Sequence, residues 1–239
     1  MFASLNGVLV VLTLLSLTVS YNTSLPFLAV IEYQSTSRIE YCTPPQSPSR
    51  TPPIKPSDLT AEQKEANDFL IAWQDDDEAL LGPFPVYLAI PAWVKPFVGT
   101  LQAIGQVPGV SATARETVIL ATSSHCKTVY EHERTALNSI GQTKEQIQMI
   151  IVGQTPEDLD AGSSVAYNVA KELLTKPGPL KKESWDALVR KFGKQGALAV
   201  VHYVGNYAYA SILMNAIATP LPEGSSSWSN CGMFCPLSS

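Results

Sequence analysis

Residues 195–218 constrain this 239-residue chain more than any other segment. From Gln195 to Ala218 the sequence reads as one long helix without a single charged residue, apolar nearly all round. Such a helix is too hydrophobic to expose, so it is expected at the centre of the fold or at a subunit interface. The segments before it repeat apolar residues at helical spacing. None shows the period-two alternation of a strand, and the fold class is all-α.

Punctuation divides the rest. Thr60-x-x-Gln63 forms a capping box ahead of Ala66, Phe69, Leu70 and Trp73. Residues 86–106 read as helical in pieces, interrupted by Pro91 and Pro96. A helix over 114–123 has its apolar face at Val118-Ile119. Thr143-x-x-Gln146 caps a further short helix that stops near Gly153. Pro156 suits the first position of the next helix, which carries Val165, Val169 and Leu173. Ser184 opens a helix that ends at Gly193. Residues 43–57 hold six prolines and few apolar side chains, which makes an extended arm, and the tail from Glu223 is rich in Gly and Ser.

The first twenty residues read as a secretory signal: Val8 to Val19 is a twelve-residue apolar run, short for a bilayer span, with small residues Thr18 and Ser20 before Tyr21. Asn22-Thr23-Ser24 is then a glycosylation sequon on a secreted chain. The expected organisation is a signal over 1–20, an arm over 21–57, a helical domain over 58–222 and a tail over 223–239. After cleavage no stable membrane partner is expected. The net charge of −5 and the lack of any basic run exclude a nucleic-acid role. Four cysteines, Cys42, Cys126, Cys231 and Cys235, allow three pairings in an oxidising compartment.

The chemistry-bearing groups concentrate between Arg115 and Glu133, RETVILATSSHCKTVYEHE, which holds two of the three histidines. On one continuous helix Glu116 and His132 would lie about 160° apart, sixteen steps of ~100°. A break at Ser123-Ser124 relieves this. Ser124 would cap a second helix, with His125 and Cys126 in its first turn, where the dipole favours a thiolate. His125 and His132 would share a face, and Glu116 would fold back toward them. The bland reading makes Cys126 a small buried hydrophobe and residues 131–134 a solvated helix face. On the long apolar helix His202, Asn206 and Tyr209 share a stripe. They form either a satisfied hydrogen-bond set or the wall of a substrate pocket.

RETVILATSSHC…YEHERTALNSIGQTKEQIQMI resembles the carboxymuconolactone decarboxylase / alkylhydroperoxidase-D-like (AhpD-like) family. The resemblance extends upstream to GPFPVYLAIPAWVKPFVGTLQAIG and downstream to WDALVRKFGKQGALAVVHYVGNYAYASILMNAIATPLPEG, about residues 38–224. It implies an AhpD-like helical bundle assembling as trimers or higher rings, with sites near subunit interfaces. By position, Glu116 matches the motif glutamate, Cys126 a common cysteine and His132 the proton-relay histidine. Two departures stand out. The family's C-x-x-C is absent, since Val129 follows Cys126 by three, and the Glu116–His132 spacing is shorter than the family's.

These readings imply a cofactor-free lyase or isomerase for a small oxygenated organic acid or lactone. His132 is its acid/base, Glu116 orients it, and Cys126 or Tyr130 polarises the substrate. His125, His202, Asn206 and Tyr209 would bind that substrate, and no metal is called for. The alternatives are a thiol peroxidase or disulfide reductase using Cys126, and a non-catalytic secreted binding or structural oligomer.

Overall fold

The computed structural model describes residues 49–52, 54–74, 83–137 and 141–221. The signal segment, Asn22, Cys42, Cys231 and Cys235 lie outside these. Among the described residues there are eight α-helices and no strand: α1 (Ala61–Gln74), α2 (Phe84–Tyr87), α3 (Pro91–Gly105), α4 (Ala112–His125), α5 (Val129–Leu137), α6 (Lys144–Ile151), α7 (Ala161–Thr175) and α8 (Lys182–Ile217).

The surrounded helix is α4, not α8. Every residue from Thr117 to Ser124 is buried, and α5, α6, α7 and α8 all pack on α4. Four of those buried residues carry hydroxyls, which would be costly if unpaired. Each donates to the helix's own backbone or a near turn: Thr117 to the Thr113 carbonyl at 2.8 Å, Thr122 to Val118 at 2.8 Å, and Ser123 and Ser124 to Leu120 at 3.1 and 2.6 Å. Back-bonding of this kind lets a mixed sequence sit at a dry centre. Ile147, Tyr167, Val169, Leu188 and Val200 fill the core around it. A second cluster, around Leu70, Tyr87, Leu88, Val94 and Val98, joins α1, α2 and α3.

Both capping boxes form. The Thr60 and Gln63 pair closes at 3.0 and 3.2 Å, and Thr143 with Gln146 at 2.9 and 3.2 Å. Three expectations are corrected. Pro91 takes the first position of α3, but Pro96 sits inside that helix without ending it. The helix after Gly153 begins at Ala161, because the Asp160 carboxylate accepts from the N–H groups of Gly162 and Ser163; Pro156 lies in the loop before it. Ser184 is no N-cap; α8 opens at Lys182, and the Ser184 hydroxyl donates to Glu172 at 2.6 Å.

At Gly193 the backbone of α8 leaves helical geometry, with φ 69° and ψ 172°, so a kink separates two helical segments. Beyond it the helix is buried on one side only. Leu198, Tyr209 and Ile212 are 45%, 46% and 66% exposed. By length and composition α8 is the one described helix apolar enough to cross a membrane, yet it packs against α4 and α7.

The carboxyl end of α8 is tied to the proline-rich arm. Ala218 adopts a left-handed conformation (φ 53°), Thr219 N–H donates to the Met214 carbonyl, and Ala218 N–H to that of Asn215. Arg50 takes the remaining two: its backbone N–H donates to the Ile217 carbonyl at 2.8 Å and its guanidinium to Ala216 at 2.6 Å. All four terminal carbonyls are thereby met.

Two of the three glycines of α8, Gly193 and Gly205, should respond oppositely to alanine. At Gly193 the φ/ψ pair is nearly exclusive to glycine, so Gly193→Ala should cost about 1–3 kcal/mol although a Cβ would meet nothing within 4 Å. At helical Gly205, equally open, Gly205→Ala should cost nothing or add about 0.5–1 kcal/mol. Urea unfolding of both variants checks this; equal effects would contradict the assigned kink.

Candidate functional site

The junction between α4 and α5 decides which groups meet. α4 does not stop at Ser123 for Ser124 to cap a new helix. It runs on to His125, with Cys126 as its last cap residue. Lys127 then turns left-handed (φ 59°). Thr128 N–H donates to the Ser123 carbonyl at 2.9 Å and Lys127 N–H to Ser124 at 3.2 Å. This is a Schellman closure, and α5 starts only at Val129.

Cys126 therefore lies at the carboxyl end of a helix, where the dipole opposes a thiolate. Burial pushes its pKa up further. The Ser211 hydroxyl faces the thiol and counters this in part, although Ser211 Oγ completes no hydrogen bond of ordinary geometry. Asn215 Nδ2 holds the Cys126 carbonyl at 2.7 Å. His125 is exposed on α4 and shares no face with His132.

Three consecutive residues of α5, Tyr130, Glu131 and His132, are all buried, so the reading of 131–132 as a solvated face is corrected. Steps of ~100° send them three ways. Tyr130 packs into an apolar cluster with Ala210 and Met214. His132 turns back to α4, where the Ser123 carbonyl faces its ring. Burial lowers its pKa to about 4, with that carbonyl opposing and Lys127 adding a little. No carboxylate acts on it, so the expected Glu116–His132 partnership does not form.

What Glu116 meets instead is Glu131 and Arg134. Burial raises the pKa of Glu116, against Arg134 and Arg115; Arg115 Nε is 3.8 Å away. Glu131, 3% exposed, has its pKa raised by burial, opposed by Arg134 and reinforced by Glu116. Arg134 Nη1 lies 3.5 Å from Glu131 Oε2, an ion pair too long to be a good hydrogen bond, and Oε2 makes no other. Burial works against the Arg134 charge, but Glu131 and Tyr207 outweigh it and keep the guanidinium charged. Its side chain is still 46% accessible because it lines an open pocket. Burial, then Glu131, pushes the Tyr207 phenol up to about 12.

That pocket, open on one side, lies where the α1–α3 cluster meets α5 and α8. Trp73, Phe84, Tyr87 and Phe97 wall it with aromatic rings; Glu131, Arg134, Asn206 and Tyr207 supply its polar side. Five of the seven buried side-chain atoms left without hydrogen bonds among the described residues belong to α5, its preceding turn or the adjoining face of α8: Thr128 Oγ1, Glu131 Oε2, His132 Nε2, Asn206 Nδ2 and Ser211 Oγ. Such groups are rare in a core and concentrate where function needs them. The predicted stripe on α8 splits. Asn206 reaches the pocket, His202 is exposed, and Tyr209 packs at the surface on Trp93 and Phe97 at ring distances of 5.7 and 6.0 Å. Glu131 and Arg134 were not expected here. The i, i+3 opposite charges of Glu131 and Arg134 were the available signal.

No protein-family model matches the chain, and no curated protein sequence matches it. Solved structures do. The AhpD core protein, an uncharacterised peroxidase-related protein from Ralstonia eutropha JMP134, superposes with a TM-score of 0.60 at 14% identity, over 74% of this chain and 94% of that one. The debrominase Bmp8 without ligand gives 0.57 at 14%, over 72% and 92%. A cysteine-to-alanine variant of Bmp8 in complex with 2,3,4-tribromopyrrole gives 0.58 at 14%, over 75% and 95%. The chain has the AhpD-like helical fold, as the resemblance implies.

His132 gives a pH test. Its folded pKa lies below the unfolded value of 6.5, so the unfolded chain binds the proton first as pH falls. The stability tied to a neutral His132 is full above pH 6.5, declines toward pH 4 and is level below that. Its size is up to about 3 kcal/mol. Glu131 and Glu116 are raised and act in the opposite sense, losing stability as pH rises through their folded values. The difference between wild type and His132→Phe isolates the histidine. Urea unfolding at pH 7 and pH 4 should show wild type losing more; parallel losses would mean that the imidazole is not buried neutral.

Proposed function

We propose that this protein is a cofactor-free enzyme of the lyase or isomerase type, acting by general acid/base chemistry on a small oxygenated organic compound in the aromatic pocket. The observation that carries this is Glu131: a carboxyl group buried in that pocket 3.5 Å from the Arg134 guanidinium, with its pKa raised by burial. Glu131 is the proton-transfer group in this reading. Arg134 stabilises negative charge developing on a substrate oxygen, and Tyr207 and Asn206 orient the substrate. Glu116 tunes Glu131 through its charge. Two solved proteins of this fold are described as a debrominase and as peroxidase-related, which supports an enzyme here. Bmp8's tribromopyrrole, a flat ring, is the kind of shape these aromatic walls suit.

The peroxidase or disulfide-reductase alternative rests on Cys126, and its raised pKa and place at a helix carboxyl end count against it. Secretion belongs to the proposal on the strength of the apolar run Val8–Val19 and the Asn22 sequon.

Small lactones and enolisable carbonyl compounds, incubated with the protein and followed by mass spectrometry, supply the assay. Glu131→Gln should then lower turnover by about 10²–10⁴, while Cys126→Ser keeps most of it. The opposite order would establish the thiol reading.

The exposed side of α8 supports a homotrimer or higher homo-oligomer, which would also suit a binding or structural role. Leu198, His202, Gly205, Tyr209 and Ile212 repeat at steps of four and three and are all exposed, the seam of a helix packing on a helix. Light scattering should give an oligomer for wild type and a smaller particle for Leu198→Glu/Ile212→Glu. A wild-type monomer would reject the assembly and leave the catalytic proposal standing.

A further inference from the structure

Charge in the pocket limits what can enter it. Arg134 is the one cationic side chain among those lining it, and it is already committed. Glu131 lies 3.5 Å away, and Glu116 acts on the same guanidinium. Two carboxyl groups thus share one lining cation, with Arg115 beside Glu116 at 3.8 Å. An incoming carboxylate would gain Arg134 only in competition with these two carboxyl groups, in a partly desolvated space where an imperfectly paired anion is costly. The walls are flat aromatic surfaces: Trp73 stands edge-on to Phe84 at 5.9 Å, Phe84 to Tyr87 at 5.6 Å, and Tyr87 to Phe97 at 5.3 Å. On the polar side Asn206 Nδ2 and Glu131 Oε2 are shielded from water and make no hydrogen bond. The 3%-exposed Glu131 presents an acceptor, and Asn206 a donor. A ligand that meets both after a small side-chain rotation restores bonds that water does not supply.

We infer that the pocket selects a neutral, flat, conjugated molecule with a hydroxyl and a carbonyl, the hydroxyl donating to Glu131 and the carbonyl accepting from Asn206, and that it discriminates against carboxylates. This rests on the reading of the pocket as the functional site, and it narrows that reading's small oxygenated compound to neutral enols, phenols and hydroxylactones.

Three probes of one size separate the possibilities: 4-hydroxyacetophenone, which is neutral with both groups; acetophenone, which lacks the hydroxyl; and 4-hydroxybenzoate, the anion. Binding to the full chain at pH 6.5 is read by calorimetry and by tryptophan fluorescence, since Trp73 lines the pocket. 4-Hydroxyacetophenone should bind about tenfold or more tighter than either of the others, the usual worth of a hydrogen bond to a buried, otherwise unpaired group against acetophenone and of desolvating a poorly paired anion against 4-hydroxybenzoate. Glu131→Gln removes the competing carboxyl group and frees Arg134, so 4-hydroxybenzoate should gain about tenfold while 4-hydroxyacetophenone weakens. Asn206→Leu, on the stable α8, should weaken 4-hydroxyacetophenone without helping the anion, and it serves if Glu131→Gln does not fold. A wild-type preference for 4-hydroxybenzoate, or equal affinities for all three, overturns the inference while leaving the pocket as the site. Failure of every probe to bind at about 10 mM, a range reached by the weakest specific ligands, overturns the inference and the site together.

Discussion

The turn from Ser123 to Thr128 is the constraint on which the site depends. It closes α4 with two backbone hydrogen bonds and one left-handed residue, Lys127, and so fixes where α5 begins and how it is rotated. A start one residue earlier or later would rotate every α5 side chain by about 100°. Glu131 would leave the pocket, and His132 would leave the Ser123 carbonyl. The strain of a non-glycine residue at φ 59° is of order 1 kcal/mol. The burial of Tyr130, Glu131 and His132 on three sides of α5 holds it there.

The second requirement is a centre that tolerates polar atoms. α4 has little amphipathic asymmetry, because its hydroxyls return to its own carbonyls, and it can therefore be enclosed on every side. The faces that α5 and α8 turn to their neighbours lack such self-sufficiency. There Glu131, His132, Asn206 and Ser211 each keep an unmade bond, each worth about 1–3 kcal/mol of desolvation. A fold that carries several such costs in one place, beside an aromatic pocket, has spent stability where an apolar core would have been more stable.

The fold was largely legible in the sequence and the site was not, for identifiable reasons. Capping boxes at Thr60 and Thr143 and the stop at Gly193 are local signals read by neighbouring atoms, and each appears as expected. Where two local signals competed, the stronger cap decided: the Asp160 carboxylate with two N–H partners prevailed over Pro156 as a helix start. Pro96 is tolerated within α3 despite its missing donor. The centrality of α4 was hidden because its hydroxyl-rich sequence does not look like a core, whereas 195–218 does. The resemblance directed attention to Glu116, Cys126 and His132, yet the partner of Glu116 depends on how α5 is rotated. Rotation follows from the turn, and the turn places a lysine in a conformation that sequence does not signal.

Positions 131 and 132 show how much one helical step decides. Both side chains are buried, and burial drives each toward its neutral form, the carboxyl by a raised pKa and the imidazole by a lowered one. Only one of them has a countercharge. Arg134, three residues on and on the same face, opposes the rise at Glu131 without cancelling it. His132 has no such countercharge: a desolvated imidazole at about pKa 4 holds no proton near neutral pH. It offers a fixed acceptor rather than an exchangeable acid. In the proposed reaction the proton-transfer group of this helix is therefore the carboxyl group beside a counterion, and the histidine that the motif makes conspicuous contributes through neutrality and packing.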